Sequence, residues 1–353
     1  MQSLPTVNDP VFSSPTYNSM DRFFLNMIRD ERDLPFIYLT LKITFIMIPL
    51  GLALFIPGLS PTLFWSFAAL HFLVSNFRFK GPFGLMLHCT SHRKWFKKEY
   101  DVFNNFLPWF VGMFFGVTPE TYASHHVGMH HRENNMPEDT SSTMEYQRDS
   151  FSGFMAYFGD FITMGLIRTV GYFKRKNRPT LVRKMIRGES FFFLMCIVLC
   201  FFNWQATLLV FMLPFFISRF ISMLGNWTQH AFIDPTEPDN HYKNSITCIN
   251  TKYNWKCWND GYHISHHIKP SMHWTEHPNH LLDNTKEYAD NKAFIFNGVD
   301  FLIIWVWLMR KEYDKLADKI VNLGAWNSKE EVIQLMKERT RRFSEEEVEE
   351  YAV

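Results

Sequence analysis

Neither sign of charge dominates this 353-residue chain: 36 Lys and Arg stand against 35 Asp and Glu, a net charge of +1. That balance offers little to a polyanion, so a nucleic-acid partner has no electrostatic support. Cysteine is also scarce. Cys89, Cys196, Cys200, Cys248 and Cys257 are five in number and have no paired spacing, so a disulfide framework is not expected. Cys89 lies inside a histidine cluster, where one thiol among so many imidazoles reads as a bystander. No Gly-rich dinucleotide fingerprint opens a strand–helix unit, and no haem, flavin or nicotinamide segment is recognisable. The opening residues, MQSLPTVNDPVFSSPTYNS, are polar and Pro/Ser-rich. They lack the basic-then-apolar order of a cleaved signal peptide.

What the chain does have is apolar residues gathered into long runs, with 37 Phe and an aromatic share of 17%. A bilayer core takes about 20 apolar residues to cross. Phe36 to Pro57 is such a run, with Pro35 suited to a first helical turn and Lys42 able to snorkel. A GLSP turn leads to a second, from Thr62 to Phe79, with His71 inside it. That histidine reads mainly as a hydrogen-bonded group within the membrane, with a place in a substrate tunnel as the other reading. Phe191 to Met223 has double length, and Asn203 to Gln205 splits it into two spans. Residues 104–117 are apolar but short and interrupted by Pro108, which suits a re-entrant or interfacial helix. Residues 151–173 contain Asp160 and Arg168 and are expected to lie along the membrane surface; residues 293–309, with Asp300 in the middle, are expected to form an interfacial helix, with a fifth span as the alternative. The charged tail beyond Arg310 reads as a solvated helix.

The expected architecture is therefore an all-α integral membrane protein. Four transmembrane helices form two hairpins beneath a polar cap, with an N-terminal segment at 1–34, the membrane domain at 35–310 and the tail at 311–353. Arg93 to Lys98 and the eight basic residues from Arg168 to Arg187 fall on one side of these hairpins. The positive-inside rule then places both termini and the cap in the cytoplasm. Asn226-Trp227-Thr228 matches a glycosylation acceptor, but falls on that same side and reads as chance.

Four clusters rich in histidine follow the ends of the second and fourth spans: HCTSH (His88, His92), HHVGMHH (His125, His126, His130, His131), NWTQH (Asn226, His230) and GYHISHH (His263, His266, His267). Histidines four apart share one face of a helix and can reach one metal. A neighbour about 100° round the helix can reach a second ion. Nine imidazoles, plus one adjacent spare, exceed what one ion takes and suit two ions of iron, zinc or copper. Asp234, Glu133 and Asp260, near the clusters, are candidates to orient a ligand ring. Phe106, Trp109, Trp227 and Trp274 are either tunnel-lining or simple packing residues.

The order HxxxH, HxxxHH, NxxxH, HxxHH around two membrane hairpins resembles the membrane fatty acid desaturase superfamily, whose relatives include fatty acid and alkane hydroxylases. The resemblance covers about residues 35–310. It implies two Fe ions held by His88, His92, His126, His130, His131, His230, His263, His266 and His267, with Asn226 supporting through water. Which of His125 and His126 ligates stays open, although His126 keeps the HxxxHH register. The resemblance further implies O2 as co-substrate, a fatty acyl lipid as substrate, and electrons from an external carrier (cytochrome b5, ferredoxin or rubredoxin type) with its reductase. Such a protein would sit in the endoplasmic reticulum of a eukaryote or the inner membrane of a bacterium. Desaturation is the expected outcome, with hydroxylation or oxidative decarboxylation as alternatives at the same centre. The rival from another class is a zinc-binding membrane receptor or hydrolase, which needs one ion and about four ligands.

Overall fold

The computed structural model describes residues 1–351. It is mostly helical and divides into two compact units, one of residues 12–126 and 176–219, the other of residues 1–11, 127–175 and 220 onward.

In the first unit, the helix Pro61–Leu73 starts where Ser60 caps the amide of Leu63 and Pro61 fixes the first turn. It runs through a π-helical turn, Val74–Phe79, into Lys80–His92, which carries the first histidine pair. His71 is buried on this helix, against the backbone of Gly51. The helix Pro179–Thr207 breaks at Asn203 (φ −160°, ψ 99°), within the segment where the sequence predicts a split. There the Asn203 side chain accepts from Ala206 N (3.1 Å) and donates to the carbonyl of Leu54 (3.1 Å). Two stretches are long and apolar enough to cross a membrane: Glu31–Ala53, and Pro179–Gln229, which has 51 residues. Large apolar side chains on this unit face outward, among them Phe45 (73% exposed), Phe77 (77%), Phe201 (87%) and Phe202 (78%). Water-soluble surfaces rarely carry so much exposed apolar area, whereas a bilayer favours it.

The second unit departs from the all-α expectation. Ile246–Ile249 and Phe294–Asn297 pair in parallel, Ile246 opposite Phe294. Both strands are short, apolar and buried, as parallel strands tend to be. Parallel pairing needs a long crossover, and residues 250–293 supply it and carry the fourth histidine cluster. The expected helix over 293–309 is corrected accordingly. Asp300 is an N-cap, accepting from Ile303 N, and the helix that follows, Phe301–Met309, has nine residues. At 1.5 Å per residue it spans about 14 Å, half a bilayer core.

The tail is also corrected. Its helices Tyr313–Lys319 and Lys329–Thr340 are not solvated throughout. Leu316, Ala317, Val332 and Met336 are fully buried and pack with Phe232, Phe294 and Ile304. The acidic residues cover only the opposite face. The N-terminal arm joins this unit as well. Buried Asp9 accepts hydrogen bonds from Asn250 N (2.7 Å) and the hydroxyl of Tyr262 (2.7 Å), the residue before His263.

Candidate metal centre

The fourth cluster opens the short helix His263–Ile268, so His263 and His267 stand one turn apart and His266 is rotated away. His263 and His267 join His130 and His230 in a buried tetrad. Ring centroids lie 4.6 Å apart for His263 and His267, 5.0 Å for His230 and His267, and 5.2 Å for His130 and His267. The Nε2 atoms converge: His230 to His263 is 3.2 Å and His263 to His267 is 3.1 Å. Beside the tetrad, His266 Nε2 lies 2.9 Å from His131 Nε2.

The tautomers of two tetrad rings follow from their neighbours. His230 Nδ1 lies 2.6 Å from the carbonyl of Asn244, which can only accept, so Nδ1 carries the proton. His130 Nδ1 lies 2.7 Å from the carboxylate of Asp139, with the same result. In both rings Nε2 is left with its lone pair, the state a metal ligand requires. Asp139 is itself fixed by Ser141 N (2.8 Å), Ser141 Oγ (2.6 Å) and Asn135 N (3.2 Å). A closed, buried set of neutral imidazole lone pairs fits a transition-metal ion.

In the other unit, His88, His92 and His126 cluster, with centroids 4.5 Å (His88–His126), 5.0 Å (His92–His126) and 5.3 Å (His88–His92) apart. The second cluster is thus shared out: His126 joins this trio, His130 the tetrad, and His131 pairs with His266. His126 is a ring beside His88 and His92. Its backbone belongs to a π-helical turn, His126–His130, rather than the α-helix that the spacing suggests. Tyr122 stacks on the His126 ring at 5.3 Å.

Asn226 spends its amide nitrogen on the carbonyl of Ser141 (2.8 Å) and the hydroxyl of Tyr157 (2.8 Å), steadying the loop that holds Asp139. Of the carboxylates singled out by proximity, Glu133 accepts from Tyr172, Asp234 pairs with Arg339, and Asp260 accepts from Tyr253 and Gln229. Asp139 and the Asn244 carbonyl, which hold the His130 and His230 rings, are not marked by the sequence. Asp139 lies only eight residues beyond His131, but no periodicity marks a loop carboxylate. The aromatic candidates pack. Trp227 is wedged among Phe154 and Tyr157, and Trp109 sits between Phe191 and the guanidinium of Arg187. Phe106 stacks on Phe110, and Trp274 meets Trp258.

Burial holds His230 and His267 neutral. His230 is driven down to about 3, first by burial and then by the charge on His130, and burial likewise lowers His267 far below its ordinary value. An unfolded imidazole titrates near 6.5. Below that pH the unfolded chain takes up protons that the folded, metal-free chain refuses, so stability falls as the pH drops. Each such ring contributes at most about 1.4 kcal/mol per pH unit. Metal-free protein is expected to melt at a lower temperature at pH 5 than at pH 7 in scanning calorimetry. An equal or higher melting temperature at pH 5 would contradict the buried, neutral state of the rings.

The chain is largely helical, with exposed apolar surfaces suited to lipid, and it gathers a histidine tetrad, a histidine trio and an imidazole pair that could hold metal ions. The family model for fatty acid desaturase matches residues 63–296, and the chain belongs to that family. Membership makes it, at the general level, a membrane-associated, desaturase-like oxidoreductase. No curated protein and no solved structure gives a significant match.

Proposed function

We propose that the chain is an oxygen-dependent di-iron oxidoreductase that desaturates a fatty acyl chain. The observation that carries this reading is the buried tetrad, His130, His230, His263 and His267, with two tautomers fixed for metal binding. One iron would be held there. The remaining ligands that the family resemblance implies for the second iron are His88, His92, His126, His131 and His266, with Asn226 supporting through a water. Bound iron would supply the activation of oxygen and the attack on an unactivated C–H bond, which no side chain performs alone. The protein's own part is to keep the imidazoles aimed, to shield them from bulk water, and to admit the acyl chain from the bilayer. Four spans in two hairpins, with both termini in the cytoplasm, are the topology that goes with this reading.

Electrons would come from a separate carrier and reductase. The basic stretch from Arg168 to Arg187 is suited to an acidic carrier, although Arg168, Arg175 and Arg187 already pair with Asp160, Glu138 and Glu120. Salt would weaken the encounter.

The test is turnover of acyl substrate by purified protein with added reductase and carrier, followed by gas chromatography–mass spectrometry. The expected product is lighter by about two mass units, the two hydrogens lost on dehydrogenation. A product that gains an oxygen atom would make the chain a hydroxylase, and a terminal alkene one carbon shorter a decarboxylase. Full multiple turnover without reductant would defeat the oxygen-activating mechanism, and protein holding one zinc and no iron would favour the hydrolase or receptor class.

A further inference from the structure

Arg148 is completely buried, and its guanidinium donates to four backbone carbonyls. These are Ala231 (3.1 Å), Thr143 (2.9 Å), Arg339 (2.7 Å) and Arg341 (2.8 Å). Its own amide donates to the carbonyl of Thr340 (2.8 Å). One side chain therefore fastens three segments: the loop after the second histidine cluster, the residue following His230, and the C-terminal tail. A guanidinium is suited to this, because its planar fork offers five fixed donors.

Two further contacts converge on the same place. Arg339 pairs with Asp234 (2.8 Å) and donates to the carbonyl of Lys243 (3.3 Å). Lys243 precedes Asn244, whose carbonyl holds His230 Nδ1 and whose side chain accepts from Asp234 N (2.8 Å). Phe343 is wedged against Met136, Met144 and Ile233, and its amide donates to the carbonyl of Met144 (3.1 Å). Met136 and Met144 bracket Asp139, the carboxylate that holds His130. Thr340 completes the clasp through the hydroxyl of Tyr313 (2.9 Å), which in turn donates to Asp149 (2.9 Å).

We propose that residues 339–343 form a strap that, through Arg148, Arg339 and Phe343, positions the two groups orienting the tetrad, Asp139 behind His130 and the Asn244 carbonyl behind His230. These three are positioning residues and touch no metal or substrate. The inference rests on the reading of the tetrad as a metal site. Groups that orient a ligand ring typically change metal affinity 10–100-fold when lost. The strap extends that dependence to side chains about 110 residues away in sequence from His230.

Cobalt(II) alone serves as the probe, loaded into the whole detergent-solubilised chain and withdrawn by a chelator. The wild-type chain sets the two reference release rates. In Arg148→Lys, which keeps the charge but loses the fork, one ion is expected to leave at least about tenfold faster while the other keeps its wild-type rate. With His126→Ala added, to weaken the site outside the tetrad, the accelerated phase is expected to remain. Phe343→Ala leaves every carbonyl partner of Arg148 in place and should accelerate the same phase, so the test stands even if Arg148→Lys does not accumulate. Unchanged release, or equal acceleration of both ions, overturns the strap, the latter because it reports only a looser fold. A wild-type chain that holds no cobalt overturns the metal-site reading itself, a result distinct from either.

Discussion

Replacing His267 with alanine is expected to abolish acyl turnover and to remove about one iron per chain. His267 is the hub of the histidine cluster. Its ring lies 4.5 Å from that of His131, 4.6 Å from His263, 5.0 Å from His230, 5.2 Å from His130 and 5.9 Å from His266. Only 3% of the residue is exposed, so water cannot readily stand in for the missing imidazole. A loss of roughly a thousandfold or more in turnover corresponds to about 4 kcal/mol of transition-state stabilisation. The chain should still enter the membrane, because the apolar runs of the other unit owe nothing to this helix. Iron analysis and product analysis on the same preparation check the prediction. A His267→Ala protein that keeps a tenth of wild-type activity would remove His267 from the metal centre. His125→Ala is the matched control and should stay active, since His126 is a ring beside His88 and His92.

The histidines were legible because metal binding imposes short, local spacings that survive in the linear sequence. His263 and His267 are four apart and share one turn, as the spacing required. The break at Asn203 was legible for a related reason, since a polar triplet interrupts an otherwise apolar run. What stayed hidden depends on contacts between distant segments. Ile246–Ile249 and Phe294–Asn297 are short apolar runs separated by 44 residues, and nothing local says that they pair. Phe294 therefore read as the start of a helix, and Asp300 as a charge in its middle rather than its cap. In the tail, Val332 and Met336 are four apart and mark a buried face, but the surrounding acidic residues concealed so narrow a stripe. Asp139 belongs to a third kind. It is close to its ring in sequence, yet its role is set by a loop conformation that Asn226 and Ser141 stabilise.

Gly188→Ala is expected to be strongly damaging to the membrane-suited unit, although helix propensity argues the reverse. Inside a helix, alanine is ordinarily favoured over glycine by about 1 kcal/mol. Gly188 lies within Pro179–Thr207, but a Cβ built there falls 1.7 Å from the carbonyl oxygen of Pro119 and 2.7 Å from its carbon. Those are backbone atoms of a residue whose ring fixes φ, so no side-chain rotation relieves the clash. The neighbouring Glu189 holds the same loop down, accepting from Thr118 Oγ1 (2.5 Å) and Arg219 (3.1 Å). Overpacking of this kind costs about 3 kcal/mol or more, a large fraction of a marginal stability. A fall in melting temperature on the order of 5–10 °C in detergent is expected. Gly84→Ala and Gly159→Ala are the controls: a Cβ at either position meets nothing within 4 Å, and both should be neutral or slightly stabilising. The consequence reaches the metal site. Pro119 leads through Glu120, which takes a left-handed turn (φ 62°), into the helix Thr121–His125 and then His126. Displacing that loop should carry His126 away from His88 and His92, so the surviving Gly188→Ala protein should hold less iron than wild type. Melting within about 2 °C of wild type with full iron content would show that the loop yields freely, and that the close approach at Gly188 does not set the position of His126.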